Sequence, residues 1–304
     1  MDGVVVIDKP QNVTSHDVVS RVRRTFGIRR VGHIGTLDPM ATGVLPLVTG
    51  RATRLASLLS VGPKIYEGLI RLGLSTDTYD ITGNVLTDSQ NRSGSGLVRP
   101  PTEKEIGEAA ARFSGTFMQT PPPFSAKKIK GVRAYRLARR QQPVNPDAVR
   151  VTVHEFSISD ITQTHIRCRV NCEPGFYMRS LAHDLGLTLG CGACLESLRR
   201  EQSGAFGLQQ CIALDDLEKL KPELGHHLLS ISNLLPNLPR LVVTANGQKR
   251  ASHGNDLSRS DILSADREWG AESVRLFNER GQLLAIAKAK ADEGLILHPM
   301  IVLV

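Results

Sequence analysis

Apolar residues come in short bursts along the chain, and the spacing inside each burst predicts its element. Residues 3–8, GVVVID, are a continuous apolar run that reads as a buried strand. From Ser15 to Gly27, Val18, Val19, Val22 and Phe26 recur at helical spacing, with Thr14 or Ser15 as N-cap and Gly27 as C-cap. Arg21, Arg23 and Arg24 fall largely on other faces of that helix. Further strands are expected at 43–49, 65–73, 149–158 and 164–172, and helices at 51–60, 102–113, 131–140 and 176–187. Thr102 and Glu105 make a capping-box pattern at the start of one of them. Strands and helices do not alternate strictly, so the fold class expected is α+β with a mixed, largely antiparallel central sheet.

The pattern changes near 232–239, SNLLPNLP, where two prolines flank a linker. Beyond it SVRLF and QLLAIAKA, joined through Asn278 to Gly281, read as a hairpin, and LILHPMIVLV closes a small β-barrel. Two domains follow, 1–236 and 238–304, as the length of 304 residues also suggests.

Charge adds a preference for a partner. The chain carries 38 Lys and Arg against 30 Asp and Glu, a net +8, which favours polyanions through the long-range field. The first residues, MDGVVVIDKPQ, lack the apolar core of a signal peptide, and no apolar run nears the roughly 18 residues of a membrane span. A cytoplasmic protein is expected. Cys168 with Cys172 and Cys191 with Cys194 imitate a metal site, but four residues of strand span about 13 Å, too far for two sulfurs on one zinc. No metal and no cofactor are expected, and the cysteines read as thiols in a reducing compartment.

The segment GHIGTLDPMATG, from Gly32 to Gly43, is too rich in glycine for a helix or long strand. It lacks the Lys-Ser/Thr ending of a P-loop and the spacing of a dinucleotide fingerprint. What it offers is one carboxylate, Asp38, in a loop whose glycines let a ligand approach the backbone. Taken alone, an Asp-Pro pair is usually just the start of a turn.

GHIGTLDPMATGVLPLVTGRATR resembles the signature of the TruB family of pseudouridine synthases. The family's other landmarks follow in order: KPQNVTSHDVV at Lys9, KIYEG at Lys64, QTPPPFSAKKIKGVRAYRLAR at Gln119, EPGFYMRSLAHDLGLTLG at Glu173 and LRR at Leu198. The resemblance covers most of residues 1–212. It implies a cofactor-free isomerase acting on the T-loop of tRNA, at the uridine conventionally numbered 55. Asp38 is then the catalytic carboxylate, Tyr66 the active-site tyrosine that stacks on the flipped uracil and serves proton transfer, and Arg179 the arginine paired with Asp38. Tyr177 and Leu198 match positions lining the uracil pocket, and His33 a histidine that contacts the RNA. Lys9 either touches RNA or braces Asp38. Without the resemblance, Leu198 reads as core and Arg179 as a surface helix charge.

Lys127, Lys128, Lys130 and Arg133 open a run of seven cations in fourteen residues, interleaved with Tyr135. The resemblance makes this an RNA-gripping insertion, about 120–150, with phosphate contacts as its use. Three positions depart from the family pattern: Asn12 replaces a Gly, Glu173-Pro174 a Ser-Lys pair, and RRQQPVN from Arg139 an Arg-Glu-Gly turn. Asn tolerates the left-handed conformation that a glycine there implies. The C-terminal segment resembles a PUA domain through TANGQ, the hairpin and LHPMIVLV. The partner expected is the T-arm of tRNA, met by a monomer. Rival readings are a guide-RNA-dependent homologue, a non-catalytic tRNA-binding or folding chaperone, and a zinc-dependent RNA deaminase, which lacks its His-x-Glu signature.

Overall fold

The computed structural model describes residues 1–88, 99–125, 128–129, 132–133, 146–220, 224–270, 273–290 and 296–304. The chain opens with β1 (Gly3–Lys9) and α1 (Ser15–Phe26), whose Thr14 closes a capping box with Asp17 and whose Gly27 ends the helix at φ 65°. β2 (Val31–His33) and β3 (Thr42–Thr49) follow, then a 3₁₀ turn at Gly50–Leu55 running into the single turn α2 (Ala56–Leu59), where one helix over 51–60 was expected. β4 (Lys64–Leu72) leads into a small hairpin, β5 (Leu74–Thr76) with β6 (Val85–Asp88).

α3 (Glu103–Ala111) begins at the Thr102 capping box, and β7 (Gly115–Gln119) follows it. β8 (Lys128–Ile129) pairs with β9 (Val132–Arg133), which corrects the helix expected at 131–140 where that segment is described. The β-branched Ile129 and Val132 bracket Gly131, a pattern that suits a ribbon better than a helix. The other residues of that expected helix lie outside the described ones. β10 (Val149–Ile161), β11 (His165–Cys172) and α4 (Met178–Thr188) stand close to where the pattern put them.

β12 (Ala193–Ser203) was not foreseen: no element was assigned from sequence to ACLESLRREQS. It nevertheless runs through the middle of the main sheet. With β13 (Phe206–Gly207), β14 (Cys211–Ala213), the turn α5 (Leu224–His227) and β15 (Leu229–Ser230), the sheet runs β14-β1-β3-β12-β4-β11-β10-β7. All its pairings are antiparallel except β1 with β14 and β12 with β3. The charges of β12 are accommodated by alternation together with a β-bulge between Leu195 and Ser197, so that Glu196, Arg199 and Glu201 pair with His165, Asp8 and Arg169. Leu198 and Arg200 point to the other face of the sheet.

That other face packs against α1, α3 and α4 through Val18, Val22, Ile106, Leu181 and Leu185, all buried, and forms the principal core. A separate sheet of β16 (Arg240–Val243), β17 (Ile262–Ala265), β18 (Ser273–Phe277), β19 (Leu283–Ala289) and β20 (Leu297–Val302) is ordered β17-β16-β18-β19-β20. With α6 (Ala245–Ser252) it fits the small barrel-like module expected, and the β18–β19 hairpin turns at Asn278–Gly281 as the sequence pattern implies. Its Phe277, Leu283, Ile286 and Leu303 bury themselves against Val4, Val6, Val44, Val48 and Leu55, on the back of the main sheet. Among the described residues no helix is long and apolar enough to cross a membrane.

Candidate active site

The loop from Ile34 to Ala41 joins β2 to β3, and three separate elements pin it. Ile34 N–H donates to the Pro46 carbonyl at 2.9 Å. The Ser15 hydroxyl, in the first turn of α1, accepts from Leu37 N–H at 2.9 Å and donates to the Leu37 carbonyl at 3.0 Å, so the residue before Asp38 is held on both sides. Asp38 then starts a turn through Pro39, closed by Ala41 N–H to the Asp38 carbonyl at 3.1 Å. Asn12 N–H reaches the Pro39 carbonyl at 2.8 Å from a left-handed residue (φ 66°), the conformation expected of that substitution.

Lys9 completes the bracket. It is fully buried, and its Nζ donates to the carbonyls of Pro10 (2.9 Å), Val13 (2.7 Å) and Pro39 (3.3 Å). Burial pulls its ammonium down to about 8. Of the two roles open to Lys9, this geometry suits the brace and leaves no donor for RNA.

Asp38 itself is a third exposed at its side chain and is met by Arg179, the second residue of α4. Nε lies 2.9 Å from Oδ2 and Nη2 donates to Oδ1 at 3.1 Å, a two-point grip. The remaining donors of Arg179 reach the Thr78 carbonyl (3.1 Å), the Phe124 carbonyl (2.9 Å) and the Asp80 carboxylate (3.6 Å). Arg179 is therefore no surface charge: it is 6% exposed, and its fork ties the Asp38 loop to two other segments. Asp80 is buried and in turn accepts from Thr78, and from Thr82 through both its hydroxyl and its N–H.

The start of α4 is placed by Gln119 at the end of β7. The Gln119 amide donates to the Tyr177 carbonyl (3.1 Å) and accepts from Tyr177 N–H (2.9 Å), while Ser180 Oγ donates to the Thr120 carbonyl (2.7 Å). These bonds bring Phe124 and Ser125 over the pocket.

Asp38, Tyr66, Tyr177, Arg179 and Leu198 line one pocket of about 270 Å³, together with Gly35, Lys64, Phe176, Met178 and Arg200. Tyr66 and Leu198 arrive from neighbouring strands, with Tyr66 opposite Arg200 and Gly68 opposite Leu198 in the β4–β12 ladder. Burial pushes the Tyr66 phenol up, an effect that the nearby Arg200 guanidinium partly opposes. Gly43, at φ 100°, allows β3 to meet β12 here: a Cβ at that position would sit 2.2 Å from the Arg200 carbonyl oxygen.

His33 ends β2 and is not among the residues lining this pocket. Lys128 and Arg133 are register partners in the β8–β9 ribbon, while Lys127 and Lys130 lie outside the described residues. Cys168 and Cys172 are both buried on one face of β11, and burial pushes each thiol up to about 12, unsuited to a thiolate ligand. Two charged pocket residues, Lys64 and Arg200, and the carboxylate behind Arg179, Asp80, were missed from sequence. Lys64 shares a strand face with Tyr66, and Arg200 with Leu198, so period-2 alternation would have found both once the strands were known. No local signal marks Asp80.

Comparison with known proteins gives a consistent picture. The model of the TruB family pseudouridylate synthase (N terminal domain) matches residues 23–178, and that of the tRNA pseudouridylate synthase B C-terminal domain matches residues 179–235. The chain is 41% identical over 305 residues to tRNA pseudouridine synthase B of Solibacter usitatus, covering 100% of both chains. It is 37% identical to the protein of that name from Thermotoga maritima, over 97% of this chain and 92% of that one. Among solved structures it resembles an H/ACA RNP bound to a substrate RNA containing 2'-deoxyuridine, with TM-score 0.71, 25% identity, and coverage of 99% of this chain and 85% of that one. A Cbf5-Nop10-Gar1 complex matches with the same TM-score of 0.71, identity of 25% and coverage of 99% and 85%.

Proposed function

The chain belongs to the TruB family of pseudouridylate synthases, and on that footing we propose that it isomerises uridine to pseudouridine in the T-loop of tRNA, at position 55. Asp38 is the catalytic carboxylate in this reading. The observation that carries it is the two-point grip of Arg179 on Asp38 at the wall of a pocket that also holds Tyr66 and Leu198. The grip fixes the direction of the carboxylate and balances its charge, so no reorganisation is needed when the nucleoside arrives.

Tyr66 and Leu198 offer an aromatic and an aliphatic wall for a flipped pyrimidine. Stacking on such a ring is worth roughly 1 to 3 kcal/mol, comparable to the few kcal/mol spent on extruding a nucleotide. The reaction cleaves the bond from C1′ to N1, turns the base and joins C1′ to C5. A proton leaves C5 and one arrives at N1, so the balance calls for no redox equivalent or phosphoryl donor.

A guide-RNA-dependent reading has the solved neighbours in its favour, since those include an H/ACA RNP. The curated relatives at 36% to 42% identity, all named tRNA pseudouridine synthase B, support the stand-alone reading more strongly. In that reading residues 238–304 are a PUA-like grip on the RNA, and the basic 120–150 insertion supplies phosphate contacts.

The test is to incubate the purified protein with unmodified tRNA and no added cofactor, then map pseudouridine by carbodiimide labelling. Product at the T-loop uridine is expected. Its absence from several tRNAs would rule out the T-loop assignment.

A further inference from the structure

Arg200 is the largest wholly buried side chain among the described residues, yet it forms no ion pair with any of them. Its Nε donates to the Val44 carbonyl at 2.8 Å and its Nη2 to the Gly35 carbonyl at 2.9 Å, while the buried Nη1 has no hydrogen-bond partner. Lys64 is 8% exposed, and its ammonium likewise makes no hydrogen bond or ion pair among the described residues. Both side chains line the Asp38 pocket and converge behind Gly35: a Cβ there would stand 3.3 Å from Arg200 Nη1 and 3.3 Å from Lys64 Cε.

The pocket as a whole carries an excess of positive charge. Lys64, Arg179 and Arg200 line it against the single carboxylate of Asp38, and Asp80 balances one more charge from behind Arg179. One positive charge is left over. Beyond the pocket lining the Glu173 carboxylate also acts on Lys64, but its side chain is exposed and paired with His154. A buried cation with so little compensation is costly, and such an arrangement persists where an anion completes it.

On the basis of the functional reading above, we propose that Lys64, seconded by Arg200, stabilises the negative charge that develops on uracil as it leaves the ribose. In this step the Asp38 carboxylate bonds to C1′ while the C1′–N1 bond breaks, with its electron pair going to the base. The detached uracil is an anion whose charge is spread over N1, O2 and O4. After the base turns, C5 attacks C1′, the electron pair of the Asp38–C1′ bond returns to the carboxylate, the C5 proton is lost and N1 is protonated.

A base is a better fit than a backbone phosphate. Tyr66, Phe176, Met178 and Leu198 line the pocket and suit a flat ring better than a phosphate group.

Lys64→Met is the main test, because Lys64 holds no other group in place, whereas Arg200 also fastens the carbonyls of Val44 and Gly35. Lys64→Gln, which keeps polarity and removes charge, carries the same expectation should the Met variant fold poorly. Single-turnover rates are measured at saturating tRNA carrying uridine or 5-fluorouridine in the T-loop, following loss of the parent nucleoside in nuclease digests. Fluorine makes the departing base a weaker base that needs less stabilisation.

With uridine the variants should lose about 10- to 1000-fold in rate, the scale of one preorganised charge-stabilising group, with the dissociation constant within a few-fold of the parent. The loss should be clearly smaller with 5-fluorouridine, and Lys64→Arg should recover much of it. An unchanged rate overturns the proposal, as does an equal loss on both substrates. A loss confined to affinity overturns it too and makes Lys64 a phosphate contact. Failure of the parent protein on the uridine tRNA would instead overturn the underlying reading of function.

Discussion

Arg179 holds Asp38 by both carboxylate oxygens, at 2.9 and 3.1 Å, while its Nη1 reaches Asp80 and the Thr78 carbonyl and its Nη2 also donates to the Phe124 carbonyl. The pair is asymmetric: Arg179 has structure to support without Asp38, whereas the described ion pairs give Asp38 no cation but Arg179.

Asp38→Ala is therefore expected to abolish pseudouridine formation while leaving the fold and tRNA affinity close to the parent. Affinity is spread over many phosphate contacts, and Arg179 keeps its other partners. A single-turnover rate near that of the parent would place the nucleophile elsewhere.

Arg179→Lys should lower the saturated rate on the order of 100-fold or more, since one ammonium cannot reproduce a planar fork and small misplacements of a reacting group are expensive. Filter binding should show tRNA affinity within a few-fold. Arg179→Ala is expected to cost stability as well, visible as a lower melting temperature, because it leaves the buried Asp80 without its cation.

Lys9 gives a pH signature. Its folded-state value of about 8 lies below the ordinary 10.5, so between these two pH values the unfolded chain binds more protons than the folded one. Its contribution to stability should thus rise through that window and be lost as pH falls through 8. The buried thiols of Cys168, Cys172 and Cys211, pushed up to about 12, act in the opposite sense above pH 9. Urea unfolding of the parent and of Lys9→Met from pH 7 to 10.5 isolates the lysine: the difference between the two curves should favour the parent increasingly with pH. A pH-independent difference would contradict the assignment.

Cutting the chain after residue 236 is expected to damage more than RNA affinity. Phe277, Leu283, Ile286 and Leu303 cover Val4, Val6, Val44, Val48 and Leu55. Their removal exposes a contiguous apolar surface directly beneath β1 and β3. A lower melting temperature and binding of an apolar dye should accompany the weaker tRNA binding. A truncated protein as stable as the parent would show that this packing adds little.

Replacing Lys127, Lys128 and Lys130 with Ala should weaken tRNA binding and flatten its dependence on log salt by about 0.7 to 0.9 for each phosphate no longer neutralised. An unchanged slope would make these lysines a solvated face.

The sequence alone determined the elements whose pattern is local. α1 could be read from Thr14 to Gly27 because its caps and its apolar stripe lie within one stretch of chain, and β4, β11 and the β18–β19 hairpin were legible from alternation and a turn. Asp38, Tyr66 and Arg179 were named through family resemblance, and their convergence on one pocket agrees with that reading. What only the tertiary structure decided is how charge is compensated across distance. β12, to which no element was assigned from sequence, has its outward charges paired by Asp8, His165 and Arg169 from other strands. Lys9 could be assigned as a brace only when Pro39 came within reach of its ammonium, and Arg200 became a central buried cation only when Gly35 and Val44 turned their carbonyls toward it. A charged residue reads in sequence as solvated, because the groups that replace water around it are supplied by the fold.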